Sequence, residues 1–230
     1  MKKLHYTFIT LFIIFGMSSD LHAQDWAAMD HFKTDNEKVT APAANENRVI
    51  FMGNSITIGW LNNRPEFFKG KPYINRGISG QTTPQMLLRF RQDVIDLQPK
   101  VVVILAGTND IAGNTGPMTL DQIMDNLKSM AELASQHNIK VVLSSVLPAY
   151  DYPWRPGLKP NEKIPALNKM IMAYAEAQDH VYLDYFSAMT DDRNGLPKNY
   201  AKDEVHPTVE GYKVMEPMVE AAIEIALSKK

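Results

Sequence analysis

Four separated stretches carry side chains that could act together on an acyl group. Ser55 lies in "GNSIT", Gly80 in "RGISGQT", Asn109 in "GTNDIAGNTG", and Asp203 and His206 stand three apart in "DEVHPT". A serine hydroxyl becomes a nucleophile when a base takes its proton, and histidine is the usual base near neutral pH. That histidine needs a partner to fix its tautomer and stabilise the imidazolium, a task an aspartate can perform. The oxyanion that forms needs fixed donors, which backbone N–H groups in glycine turns and an asparagine amide can supply. The chain has one of each. Each also has a plain reading. Ser55 after Gly-Asn can be turn punctuation, Gly80 a bend with positive φ, Asn109 a cap, and His206 before Pro207 a ligand for a loop carbonyl.

The combination matters only if the fold brings these stretches together. Five apolar runs are predicted as strands: Arg48–Met52, Tyr73–Asn75, Val101–Ala106, Lys140–Val146 and Val181–Tyr185. "VVVILA" and "KVVLSSV" are β-branched and apolar on both faces, as expected of strands covered by helices on both sides. Helical patterns lie between them. Thr83-Pro84 offers an N-cap followed by proline, with Met86, Leu87, Phe90, Val94 and Leu97 on one face. Thr119 and Gln122 fit a capping box ahead of Ile123, Met124, Leu127 and Met130. Further helices are predicted over residues 161–178 and from Thr208 onward. Alternating strands and helices predict a doubly wound α/β domain with a mainly parallel sheet. Ligands of such sheets sit outside the carboxyl ends of the strands, which is where all four stretches fall.

The bulk properties narrow the function classes. The chain has 230 residues, 45% hydrophobic and 22% charged, enough for one sizeable core. Lys2 and Lys3 precede an apolar run from Phe8 to Met17, and Leu21-His22-Ala23 ends on a small residue. This predicts a signal peptide over 1–23 cleaved near Ala23, with periplasmic or secreted localisation and no stable membrane association afterwards. Residues 24–47 read as a polar lead-in, partly helical or loosely ordered, ahead of a domain over 48–230. Without residues 1–23 the chain keeps 22 basic and 25 acidic residues, a net charge of −3. No basic run is present, so nucleic acid is not an expected partner. His31, His137, His180 and His206 show no ligand-type spacing and there is no cysteine, so no metal is expected. "GISG" is not a dinucleotide fingerprint and no Walker-type turn occurs, so no cofactor is expected either.

In their order and surroundings, "GNSIT", "NRGISGQTT", "AGTND" and "DEVHP" resemble the four blocks of the SGNH (GDSL-type) hydrolases, over most of the chain from about Arg48. The resemblance implies a three-layer α/β/α, flavodoxin-like fold with a five-stranded sheet, no cofactor, and ester hydrolysis through an acyl-enzyme. It implies Ser55 as nucleophile, His206 as base and Asp203 as its partner. The implied oxyanion donors are the Ser55 N–H, the Gly80 N–H and the Asn109 side chain. Asn54 departs from the first block, which commonly has aspartate there, and the expected effect is tuning rather than inactivity. Thr57 stands where the nucleophile elbow of α/β-hydrolases has glycine.

For the substrate, "PAYDYPWRPGLKP" offers Tyr150, Tyr152, Trp154, Arg155 and Lys159 near the same edge. Aromatic faces with polar rims suit sugar rings, which makes Trp154, Arg155 and Tyr150 candidate substrate contacts. The same aromatics could simply pack the loop onto the body. The expected substrate is a small-molecule or carbohydrate acyl ester, with acetyl groups on carbohydrate favoured and a short-acyl lipid as the alternative. A binding-only protein of this fold would not need Ser55, Asn109 and His206 together.

Overall fold

The five expected strands form one sheet in the order β2-β1-β3-β4-β5, every neighbouring pair parallel. The computed structural model describes residues 25–229; the expected signal peptide lies outside them. The strands are β1 (Val49–Gly53), β2 (Tyr73–Gly77), β3 (Val101–Leu105), β4 (Lys140–Ser144) and β5 (Val181–Leu183). The helices are α1 (Lys33–Glu37), α2 (Ser55–Asn63), α3 (Pro65–Phe68), α4 (Thr83–Asp93), α5 (Thr108–Ile111), α6 (Leu120–Gln136), α7 (Pro160–Ala177), α8 (Tyr185–Met189) and α9 (Val209–Ser228).

Strand alternation builds two cores. Ile50, Met52, Val102, Ile104, Val141 and Leu143 point to one face, where α4, α6 and α7 cover them. Val49, Phe51, Val101, Val103 and Val142 point to the other, under α2, α3 and α9. Both faces are therefore dry, which is why the strands read as continuous apolar runs. Among the described residues no helix is long and apolar enough to cross a membrane.

Several boundaries differ from the sequence expectation, each for a local reason. β4 stops at Ser144 instead of Val146, because the Asn168 side chain takes both the N–H and the carbonyl of Val146. β5 stops at Leu183 because Asp184 caps α8, accepting from the Ser187 N–H. The cap of α4 is Thr82, one residue earlier than expected, with Gln85 completing its capping box. Thr83 is unavailable as a cap, since its N–H and hydroxyl both donate to Asp110. The Thr119–Gln122 capping box forms as expected. The lead-in is less loose than its composition suggests. Main-chain carbonyls of Trp26, Ala27 and Met29 accept from Gln85, Gln81 and Gln92, and Asn36 binds Asp93 and Arg76.

Register sets the level of the loops. Gly53 at the end of β1 pairs with Gly77 on one side and Leu105 on the other. The segments that carry Ser55, Gly80 and Asn109 therefore leave three adjacent strands at one height. The chain passes from β1 to β2 on one side and returns to β3 on the other, so β1 and β3 flank the switch point where such sheets open a crevice.

Candidate active site

Ser55 is the first residue of α2, lifted above the end of β1 by the Gly53-Asn54 turn. Asn54 is the N-cap: its Oδ1 accepts from the Ile56 N–H at 3.0 Å, and its carbonyl accepts from Ile58. The cap leaves the first N–H groups of the helix without intrahelical acceptors, and the macrodipole there favours negative charge. The turn also lies close to β2. A Cβ on Gly77 would stand 2.4 Å from the Ile58 nitrogen and 2.8 Å from the Asn54 carbonyl oxygen. A side chain at 77 would push the serine turn away.

His206 arrives from the far end of the chain. Its Nε2 lies 2.9 Å from Ser55 Oγ and its Nδ1 lies 2.6 Å from Asp203 Oδ2. The second carboxylate oxygen of Asp203 accepts the backbone N–H groups of Val205 and His206, so ring and main chain are held by one carboxylate. Partial burial pushes the Asp203 carboxyl up, but those N–H donors and the His206 ring outweigh it and hold it below the ordinary carboxylate range. An ionised Asp203 accepts from Nδ1–H, which leaves the Nε2 lone pair facing the serine hydroxyl.

The two halves are locked together from below. α9 begins three residues after His206, capped by Thr208, and the hydroxyl of Tyr212 donates to the Ile56 carbonyl at 2.8 Å. Trp60 of α2 stacks on Tyr212 with ring centroids 5.6 Å apart. The serine helix and the histidine helix thus share one aromatic contact, with Phe51, Phe67 and Phe68 behind it.

The other two expected oxyanion donors lie in the loops after β2 and β3. Gly80 has φ of 78°, the left-handed region that glycine reaches without strain, and its carbonyl accepts from Asn114. Asn109 is buried on α5, and its Nδ2 donates to the Gln81 carbonyl at 2.9 Å. An amide nitrogen carries two hydrogens, so that bond fixes the amide plane and uses one of them. Asp110 beside it receives both donors of Thr83 on Oδ1, while its buried Oδ2 has no partner.

The loop after β4 divides its aromatics between packing and surface. Tyr152 is fully buried, its hydroxyl 2.8 Å from Thr108 Oγ1, so here the packing reading is correct. Trp154 stacks on Tyr152 and stays 48% exposed, its ring centroid 6.0 Å from that of His206. Arg155 stays exposed and gives Nη1 to the carbonyls of Ala112 and Gly113, which ties this loop to the one bearing Asn109. Tyr150 lies under Arg193, 4.8 Å from the guanidinium carbon. Of the three candidate substrate contacts, Trp154 is the one that stands beside the imidazole. An open depression of about 540 Å³, lined by Asn63, Lys202, His206, Thr208 and Val209, borders the ring.

Sequence reasoning about the site stopped at these loops and missed Arg89, Gln81 and Tyr212. Gln81 lies inside the "NRGISGQTT" block without a role of its own there, Arg89 and Tyr212 lie outside all four blocks, and the buried hydrogen bonds reveal all three.

Residues 51–214 match the sequence profile of the GDSL-like Lipase/Acylhydrolase family. The structure of a GDSL-like lipase from Bacteroides thetaiotaomicron VPI-5482 is 50% identical and covers 87% of this chain and 99% of that one, with a TM-score of 0.85. Axe2, an acetylxylan esterase from Geobacillus stearothermophilus, shares the fold at 20% identity and a TM-score of 0.62, over 83% of this chain and all of its own. A curated relative, the uncharacterised lipoprotein YqeF of Bacillus subtilis strain 168, is 38% identical over 78 residues. That match is 33% of this chain and spans about a third of the relative's length (32%).

Proposed function

The chain belongs to the GDSL-like lipase/acylhydrolase family, and on that premise we propose that it is an exported serine esterase that removes short acyl groups, acetyl above all, from carbohydrate. The observation that carries the reading is the continuous chain Ser55–His206–Asp203, with contacts of 2.9 and 2.6 Å, beside the switch point of the sheet. His206 Nε2 takes the hydroxyl proton as Ser55 Oγ bonds to the ester carbonyl carbon. The resulting oxyanion is met by the Ser55 and Gly80 N–H groups and the second hydrogen of Asn109. Collapse breaks the C–O bond, the alcohol leaves with the proton from His206, and Ser55 carries the acyl group. Water then gives its proton to His206, attacks the acyl-enzyme, and releases the carboxylic acid and Ser55.

The open depression beside His206 and the exposed Trp154 ring support a sugar alcohol as the leaving group. The acetylxylan esterase of the same fold acts on such a substrate. The apolar run before the described residues and the lipoprotein name of the curated relative support export. A short-acyl lipid is the second reading, favoured by the name of the 50% identical GDSL-like lipase.

Ser55→Ala tests the chemistry. The variant is expected to lose nitrophenyl acetate hydrolysis and labelling by a fluorophosphonate probe while keeping its melting temperature; full activity in this variant would remove Ser55 from the mechanism. Acetate release from acetylated xylooligosaccharides, set against acyl release from lysophospholipids, separates the two substrates.

A further inference from the structure

Arg89 is the most heavily engaged side chain near the site, and it touches none of the groups that would meet substrate. It is fully buried on α4. Its Nη1 pairs with the equally buried Asp93 at 2.9 Å, which neutralises the charge. Charge pairing alone would leave the remaining donors free, yet Nε and both hydrogens of Nη2 are directed at the site's supports. Nε donates to Gln81 Oε1 at 2.5 Å. Nη2 donates to the carbonyl of Gly53, the residue before the Asn54-Ser55 turn, and to that of Arg76, one residue before Gly77. One planar guanidinium therefore holds the ends of β1 and β2 and the residue after Gly80.

Gln81 passes this order on. Its side chain is clamped at both ends, Oε1 by Arg89 and Nε2 by the Ala27 carbonyl at 2.7 Å. Its main-chain carbonyl is the acceptor that sets the plane of the Asn109 amide. We infer that Arg89 is a positioning residue for the oxyanion hole, acting through Gln81 to aim Asn109 and through Gly53 to hold the Ser55 turn. The inference rests on the esterase reading above. A rigid fork suits the role, because its donors are fixed relative to one another and a lysine ammonium could not hold all three points.

The test is a double-mutant cycle on nitrophenyl acetate hydrolysis, with melting temperature recorded for every variant. Gln81→Met removes the acceptor of Arg89 Nε without changing length. It is expected to lower kcat about 10-fold at little change in KM, since small misplacements of catalytic groups carry large rate losses. In an Asn109→Ala background the same substitution is expected to cost under about 2-fold, because the group it aims is gone. An equal loss in both backgrounds, or a folded Gln81→Met enzyme with unchanged kcat, overturns the inference. A purely structural Gln81 would lower the melting temperature and give equal losses. If Gln81→Met does not fold, Arg89→Lys carries the same comparison in the same two backgrounds. Failure of the esterase reading is distinguishable, because the parent protein would then show no Ser55-dependent hydrolysis at all.

Discussion

Asn54 shows how a departure at a single residue is absorbed. Its oxygen caps α2, a task that aspartate and asparagine perform about equally well. The substitution thus keeps the cap and drops a negative charge next to the position where the oxyanion would form. Asn54→Ala is expected to lower unfolding free energy by about 0.5–2 kcal/mol, the usual range for a lost cap. It is also expected to reduce kcat, because the Ser55 N–H belongs to the turn the cap stabilises. Urea unfolding and steady-state kinetics on one preparation would check both; an unchanged protein would make Asn54 an ordinary turn residue. Gly80 and Asn109 differ in legibility. The positive φ of Gly80 was expected from its residue type, whereas the Asn109 contact with Gln81 joins loops 28 residues apart and leaves no trace in local sequence.

At the scale of elements, the loop after β4 combines both readings open to its aromatics. Tyr152 anchors it to Thr108, Arg155 ties it to the carbonyls of Ala112 and Gly113, and Trp154 is left facing solvent next to His206. An anchored loop holds an aromatic face in place without the ordering entropy that a free loop would lose on binding. Trp154→Ala is expected to raise KM for acetylated xylooligosaccharides about 3- to 10-fold, equivalent to roughly 0.5–1.5 kcal/mol of ring contact. Nitrophenyl acetate, which has no sugar, should be affected far less, and equal effects on both substrates would remove Trp154 from sugar recognition. The short helices were the least legible elements. α1, α3, α5 and α8 have five residues or fewer, too short for a periodic face; α8 is capped by Asp184, and the other three have no side-chain cap and rest on packing against longer neighbours.

Across the whole molecule, two aspartates shape acid stability in opposite directions. Asp203 is held below the ordinary range, so its contribution is present above the unfolded carboxylate value and is lost as pH falls through its folded value. Asp110 is the reverse. Burial raises its carboxyl against the pull of Thr83, so the folded state binds the proton more tightly than the unfolded chain. Its contribution is complete below the unfolded value near ~3.9 and is lost as pH rises through the folded one. Asp110→Asn is expected to flatten the fall in stability as pH rises above ~4, read as the urea midpoint across a pH series. A variant with the parent's slope would show that Asp110 does not titrate in that range.

The sequence by itself determined the order of the strands and of the four longest helices, the parallel sheet, and the four stretches that bear Ser55, Gly80, Asn109 and the Asp203–His206 pair. These depend on hydrophobic period, turn chemistry and residue type, all of which are local. Only the tertiary structure decided what those stretches rest on. The Arg89 bond to Gly53, the Tyr212 bond to Ile56 and the Arg155 bonds to the carbonyls of Ala112 and Gly113 are contacts between distant segments. Their residues look like ordinary helix or loop positions in the sequence, because a buried polar group is defined by partners that only the packed chain supplies.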